Sequence, residues 1–258
     1  MKKNNIIFLK RNQWLKAVPN LLTVCSSLFG FAAILNTLQA YVDLADAPTV
    51  FVISSWMILL AMIFDALDGF TARIFNAASL KGVHMDSLAD MVTFGVAPAV
   101  LVAVMAHVYS ATVWGYCIAW LFCALYLACA AHRLALYNLE TMVEKKTGNK
   151  FYGLPTPGAA AAICSLVLLF GKHDIHHHFV KILPIYAGIL GLLMVSKIRY
   201  QHVGKWLESV KRNRQRQLFL VLAVVCFLLS PSIVSVIIIN AYVIWGIISY
   251  FFRIKRKM

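Results

Sequence analysis

Acidic side chains are scarce: ten in 258 residues, against 24 lysines and arginines. Charged residues of both signs make up only 13% of the chain, where a soluble domain carries about 25%. Six cysteines are spread through apolar stretches with no C-x-x-C pair, which excludes a zinc ribbon or a disulfide framework. Cys25, Cys117, Cys123, Cys129, Cys164 and Cys226 are therefore expected to be buried, reduced thiols. No stretch has the small-residue exit site of a cleavable signal peptide, and no internal repeat is visible. The missing repeat argues against a cation-coupled transporter, whose binding acids also belong near mid-span.

What fills the chain instead is apolar sequence: 61% hydrophobic residues and a mean hydropathy of +0.77. The expected fold is all-α, a polytopic membrane helix bundle with about eight transmembrane helices and an N-terminal interfacial helix. Residues 1–17 mix five basic residues with Ile6, Ile7, Phe8, Leu9 and Trp14, as a helix lying in the interface would. Spans are expected near 20–40, 49–64, 86–107, 113–137, 159–170 and 179–196 within a membrane domain of residues 18–200. A basic linker and two C-terminal spans, near 217–229 and 233–252, complete residues 201–258. The seventh span is short for a bilayer and is expected to tilt or pair with the eighth.

The net charge of +14 does not point to nucleic acid. Assigned alternately to the two sides, the inter-span segments place 22 of the 24 basic residues on one face, leaving only Lys172 and Lys181 opposite. The positive-inside rule then puts both termini in the cytoplasm, and the stretch Lys211–Arg216 reads as an anchor to anionic lipid. The run His173–His178 falls on the other face and reads as a solvated loop rather than a zinc site.

Four of the ten acids crowd into one stretch: Asp65, Asp68, Asp86 and Asp90. On helices, Asp65 and Asp68 are three apart and Asp86 and Asp90 four apart, so each pair shares a face. Carboxylates beside hydrocarbon mark a functional site, and an all-oxygen cage suits a hard divalent cation, Mg²⁺ or Mn²⁺. Gly69 and Ala72 leave the same face shallow, Arg73 offers a cation for phosphate, and Gly82 allows close helix approach. The charge map puts all four aspartates at the cytoplasmic rim.

Written out, the stretch is D-x-x-D-G-x-x-A-R, eight residues, then G-x-x-x-D-x-x-x-D, and it resembles the signature of the CDP-alcohol phosphotransferases at every fixed position. That resemblance implies a membrane enzyme that moves a phosphatidyl or phosphoalcohol group from a CDP-linked donor to an alcohol and releases CMP. It implies metal binding by Asp65, Asp68 and Asp86, with Asp90 beside the metal as general base. It sets Gly69, Ala72 and Arg73 against the CDP moiety, and Asn20 and Thr23 of the PNLLT segment near the nucleotide. A homodimer is implied in the same way. The segments MDSLADMVTFGVAPA, RLALYN, FYGLPTPGAAA and LMVSKIRY look like those of the bacterial and archaeal phosphatidylserine synthases, which implies CDP-diacylglycerol and L-serine as substrates. Two positions depart from that pattern: Leu136 stands where a second arginine is usual, and Gly158 where alanine is usual. Arg133 and Arg199, at the inner ends of two spans, are the expected binders of phosphate or of the acceptor carboxylate. Inositol, glycerol 3-phosphate and choline are the alternative acceptors.

Overall fold

The computed structural model describes residues 2–44, 46–75, 80–109, 113–143, 153–170, 177–198, 200 and 230–255. Among these residues the fold is all-helical, with no strand. We number the helices α1 (Lys2–Leu38), α2 (Ala47–Ile74), α3 (Leu80–Asp90), α4 (Ala97–Tyr109), α5 (Val113–Val143), α6 (Thr156–Phe170), α7 (His177–Val195) and α8 (Pro231–Lys255). The chain belongs to a polytopic membrane helix bundle. Five helical stretches are long and apolar enough to cross a bilayer: Ala17–Tyr41, Ala47–Ile74, Gly82–Tyr109, Trp114–Leu139 and Pro231–Tyr250. Thr156–Phe170 and Phe179–Val195 are shorter apolar helices. The expected span at 217–229 and the basic linker lie outside the described residues, as do Cys226 and most of the histidine run.

Two details differ from the expected segmentation. The segment 1–17 is joined to the first span in one helix, because Pro19 sits inside α1 without ending it. The third span is not a uniform helix: between α3 and α4, residues Met91–Val96 form a π turn. Cysteine burial also differs at two places, the first being Cys25, which is only partly buried. Cys123, Cys129 and Cys164 are buried as expected, whereas Cys117 is exposed on α5. It shares the outward side of that helix with Trp114, Trp120 and Leu121, which are apolar enough to face lipid.

Helix length sets depth. Asp65 lies 18 residues after Ala47, about 27 Å along α2 at 1.5 Å per residue. Asp90 lies 19 residues before Tyr109, about 28 Å from the other end of its span. Across a hydrocarbon layer about 30 Å thick, both pairs therefore reach one rim rather than the bilayer centre.

In lipid, helices associate through close packing and a few polar contacts rather than through the hydrophobic effect. The contact between α1 and α2 is fastened by Ser26, whose hydroxyl donates to the Ala61 carbonyl at 3.0 Å. Asn36 Nδ2 sits 2.9 Å from both the Val50 carbonyl and Ser54 Oγ. On the other side, the Tyr186 hydroxyl of α7 donates to Asn240 Oδ1 of α8 at 2.5 Å. The first turns of α6 are enclosed: Ala159, Ala160, Ala161 and Ala162 are buried against α2, α7 and α8. Small side chains there let three helices approach at once.

The segment before α6 is fixed by its backbone. Gly153 adopts φ +84°, its N–H donates to the Ile198 carbonyl at 2.8 Å, and Leu154 N–H donates to the Leu193 carbonyl at 3.1 Å. A Cβ on Gly153 would stand 2.0 Å from the Met194 carbonyl oxygen. Gly153→Ala is expected to destabilise the protein by about 2 kcal/mol or more, through the left-handed backbone and this clash together. The loss should show as a lower melting midpoint in detergent; an unchanged midpoint would contradict the account.

Candidate active site

Helix spacing carries the four aspartates to one place. Asp65 and Asp68 are on the inner face of α2, Asp86 and Asp90 on that of α3, and all four line a cavity of about 320 Å³. One carboxylate oxygen from each of Asp65, Asp68 and Asp86 falls within a 4.8 Å group. Asp90 stands beside them in the same cavity, close to Asp65.

The donor set fits a hard divalent cation. Octahedral Mg²⁺, with oxygens at about 2.1 Å, sets opposite ligands about 4.2 Å apart, so three oxygens within 4.8 Å need only a small contraction. Three carboxylates without a cation would repel one another in a site screened from water. No other group of three or more such ligands occurs among the described residues.

Thr23 reaches the aspartates from α1. Its hydroxyl is 2.7 Å from Asp68 Oδ2 and 3.0 Å from the Pro19 carbonyl of its own helix. Asp68 is the most enclosed of the metal-set carboxylates, at 6% exposure, so this hydroxyl is one of the few polar partners available to it. Asn20 lies three residues earlier on α1, partly buried. Asn20, Ala72 and Gly82 are absent from the cavity lining, whereas Gly69 and Arg73 contribute to it. Arg73 folds back along α2, with Nε donating to the Gly69 carbonyl at 2.9 Å.

The opposite wall comes from α5, the Gly153–Pro157 segment, Tyr200 and α8. Arg133 lines it, and Nη1 donates to Thr156 Oγ1 at 3.0 Å, which ties α5 to the first residue of α6. Tyr137, one turn further along α5, shares that face. Leu136 lies beyond the edge of the lining arc formed by residues 133, 134 and 137 and is 44% exposed. The departure at Gly158 is mild, since a Cβ would meet its nearest neighbour at 3.8 Å, an ordinary contact. Arg199 lies outside the described residues, although Tyr200 beside it lines the cavity.

Sequence reasoning missed the three tyrosines of the lining, Tyr137, Tyr200 and Tyr242. Tyr137 was detectable, because it stands four residues after Arg133 on a helix. Tyr200 and Tyr242 were not. Their rings pair at a 5.5 Å centroid separation, which brings α8 to a site that its sequence distance from the aspartates does not suggest.

Residues 16–249 match the family model of CDP-alcohol phosphatidyltransferase. The chain belongs to this family. Over 239 residues it is 32% identical to a CDP-diacylglycerol–serine O-phosphatidyltransferase of Helicobacter pylori, covering 92% of each chain. It is 31% identical over 241 residues to a protein of that name from Mycobacterium bovis, covering 90% of this chain and 78% of the other. The archaetidylserine synthase of Methanothermobacter thermautotrophicus is 33% identical over 189 residues, 72% of this chain and 70% of that one. The family match takes in α8 as far as residue 249, so the helix carrying Tyr242 lies within the matched region.

Thr23→Val keeps the shape of the side chain and removes the donor to Asp68. Loss of a partner of a metal ligand lowers metal affinity or activity about 10- to 100-fold. The Mn²⁺ concentration for half-maximal binding should rise by that order, and an unchanged binding curve would remove Thr23 from the site.

Proposed function

We propose that this protein transfers the phosphatidyl group of CDP-diacylglycerol to the hydroxyl of L-serine, yielding phosphatidylserine and CMP. The observation that carries this reading is the three-aspartate set with Asp90 against it, facing Arg133 across one cavity at the rim of the spans. The serine-specific names of relatives that align over most of this chain support serine as the acceptor.

Asp65, Asp68 and Asp86 hold the divalent cation, Mg²⁺ or Mn²⁺. When bound, such an ion neutralises the pyrophosphate and the charge that develops on the transferred phosphoryl group. Thr23 orients Asp68. Gly69 leaves room for the donor beside α2, and Arg73 supplies positive charge to the CDP portion, with Asn20 near the nucleotide. Asp90 accepts the proton of the serine hydroxyl as its oxygen bonds to the β-phosphorus. The bond from that phosphorus to the CMP oxygen breaks, and CMP leaves with the electron pair. Arg133, together with Arg199, binds the lipid-linked phosphate or the serine carboxylate.

A rim position suits a donor with two solubilities. The acyl chains stay between the spans while cytidine and pyrophosphate occupy the polar cavity. The distribution of basic residues supports a cytoplasmic site in a prokaryotic inner membrane, with both termini inside. The protein acts as a homodimer in this reading, on membrane lipid and without nucleic acid.

With CDP-diacylglycerol and Mn²⁺ or Mg²⁺, radiolabelled serine should enter lipid while inositol, glycerol 3-phosphate and choline do not. Incorporation of inositol in place of serine would overturn the acceptor and spare the reaction type. Asp90→Asn should lower turnover by at least about 10²-fold while CDP-diacylglycerol still binds. Near-normal turnover in that variant would remove Asp90 from the role of base.

A further inference from the structure

The helix that carries Asp86 and Asp90 contains a defect that its own sequence dictates. In an α-helix the Phe94 carbonyl would accept from the N–H of residue 98, and Pro98 has none. The backbone widens instead. Met91–Val96 form a π turn, in which Ala97 N–H reaches back five residues to the Val92 carbonyl. The Phe94 carbonyl accepts from the Tyr126 hydroxyl of α5 at 2.7 Å. Tyr126 and Phe94 are both fully buried, so no water competes for this bond.

The turn begins at the residue immediately after Asp90. A π turn holds one residue more than an α turn, which rotates the preceding helix by roughly 100° relative to the one that follows. The orientation of α4 is fixed by its buried side chains, Leu101, Val102 and Met105 among them. The π turn therefore decides which way α3 presents Asp86 and Asp90. Helix α1 meets the same turn: Thr93 Oγ1 lies 3.3 Å from the Ser26 carbonyl. It comes so near that a Cβ on Gly30 would stand 2.6 Å from it.

We propose that Tyr126 is a positioning residue: by capping the Phe94 carbonyl, whose i+4 donor Pro98 removes, it holds the π turn that aims Asp86 and Asp90 at Asp65 and Asp68. This rests on the roles assigned above to the four aspartates. Tyr126 itself touches neither substrate nor metal. Helices that lose a capped π turn to a regular α turn keep their hydrogen bonds while changing their facing, so activity and stability should separate.

Two variants of the full-length protein test this, Tyr126→Phe and Pro98→Ala, each followed by Mn²⁺ binding by electron paramagnetic resonance, steady-state kinetics and melting. Pro98→Ala restores the missing N–H and allows the α-helix to continue. Its melting midpoint should hold or rise while kcat falls and Mn²⁺ binds more weakly, each by about tenfold, the scale for losing support of a metal ligand. Measured at Mn²⁺ concentrations that saturate each variant, KM for CDP-diacylglycerol should stay within about twofold, because the donor's remaining contacts do not depend on the turn. Tyr126→Phe should lower kcat and Mn²⁺ affinity in the same direction. If both properties stay near the parent's in Pro98→Ala, or fall only in step with the melting midpoint in both variants, Tyr126 is structural and the proposal is wrong. Should Tyr126→Phe fail to fold, Pro98→Ala alone decides. Mn²⁺ binding does not depend on the acceptor, so failure of the serine assignment would show in the acceptor panel and leave this result readable.

Discussion

Mutual repulsion of carboxylates beside hydrocarbon is the constraint on which the rest of this structure depends. Four aspartates sharing a cavity of about 320 Å³ are stable together only with positive charge among them and polar contacts around them. The protein's own contributions are visible: the Thr23 hydroxyl on Asp68, and Arg73 and Arg133 in the lining. A divalent cation supplies what these cannot, since two arginines do not balance four carboxylates at close range. The same constraint explains the depth of the site. With Asp65 about 27 Å along α2, the acids meet the aqueous rim, where a hydrophilic nucleotide can enter and a lipid tail can remain in the bilayer.

Most of this was legible before any coordinates, for reasons of periodicity. Spacings of three and four residues place side chains on one helical face whatever the tertiary structure, so the pairing of Asp65 with Asp68 and Asp86 with Asp90 needed only the helices to form. Apolar run length located the spans for a similar reason, because the bilayer imposes one thickness on them all. The polar contacts between helices were not legible in this way. Thr23 meets Asp68 across 45 residues of sequence, and Tyr242 reaches the cavity from α8. Such contacts depend on helix rotation and crossing, which hydropathy does not encode.

Leu136 shows the limit of reading a motif as a string. A missing arginine in RLALYN looks like a missing ligand, yet on the helix it lies away from Arg133 and Tyr137 and out of the cavity. The lining residues 133, 134 and 137 span an arc of about 100° on this helix, and residue 136 falls about 60° beyond its edge at 100° per residue. The groups that face the aspartates across this cavity are others, on its second wall.

That second wall differs in kind from the first. The aspartate wall is built from α2 and α3, successive helices that both pack against α1. The facing wall draws Arg133 and Tyr137 from α5, Gly153 and Pro155 from the segment before α6, Tyr200 from beyond α7 and Tyr242 from α8. These parts are linked through backbone hydrogen bonds from Gly153 and Leu154 to Ile198 and Leu193, and through Arg133 to Thr156. A reaction common to a family needs an invariant arrangement of its acidic groups, which two successive helices seated on a common third supply. Discrimination among alcohols needs a surface that can be altered without disturbing those groups. A wall assembled from four separate elements, each substitutable on its own, meets that need, and it accounts for the signature specifying the chemistry while leaving the acceptor unspecified.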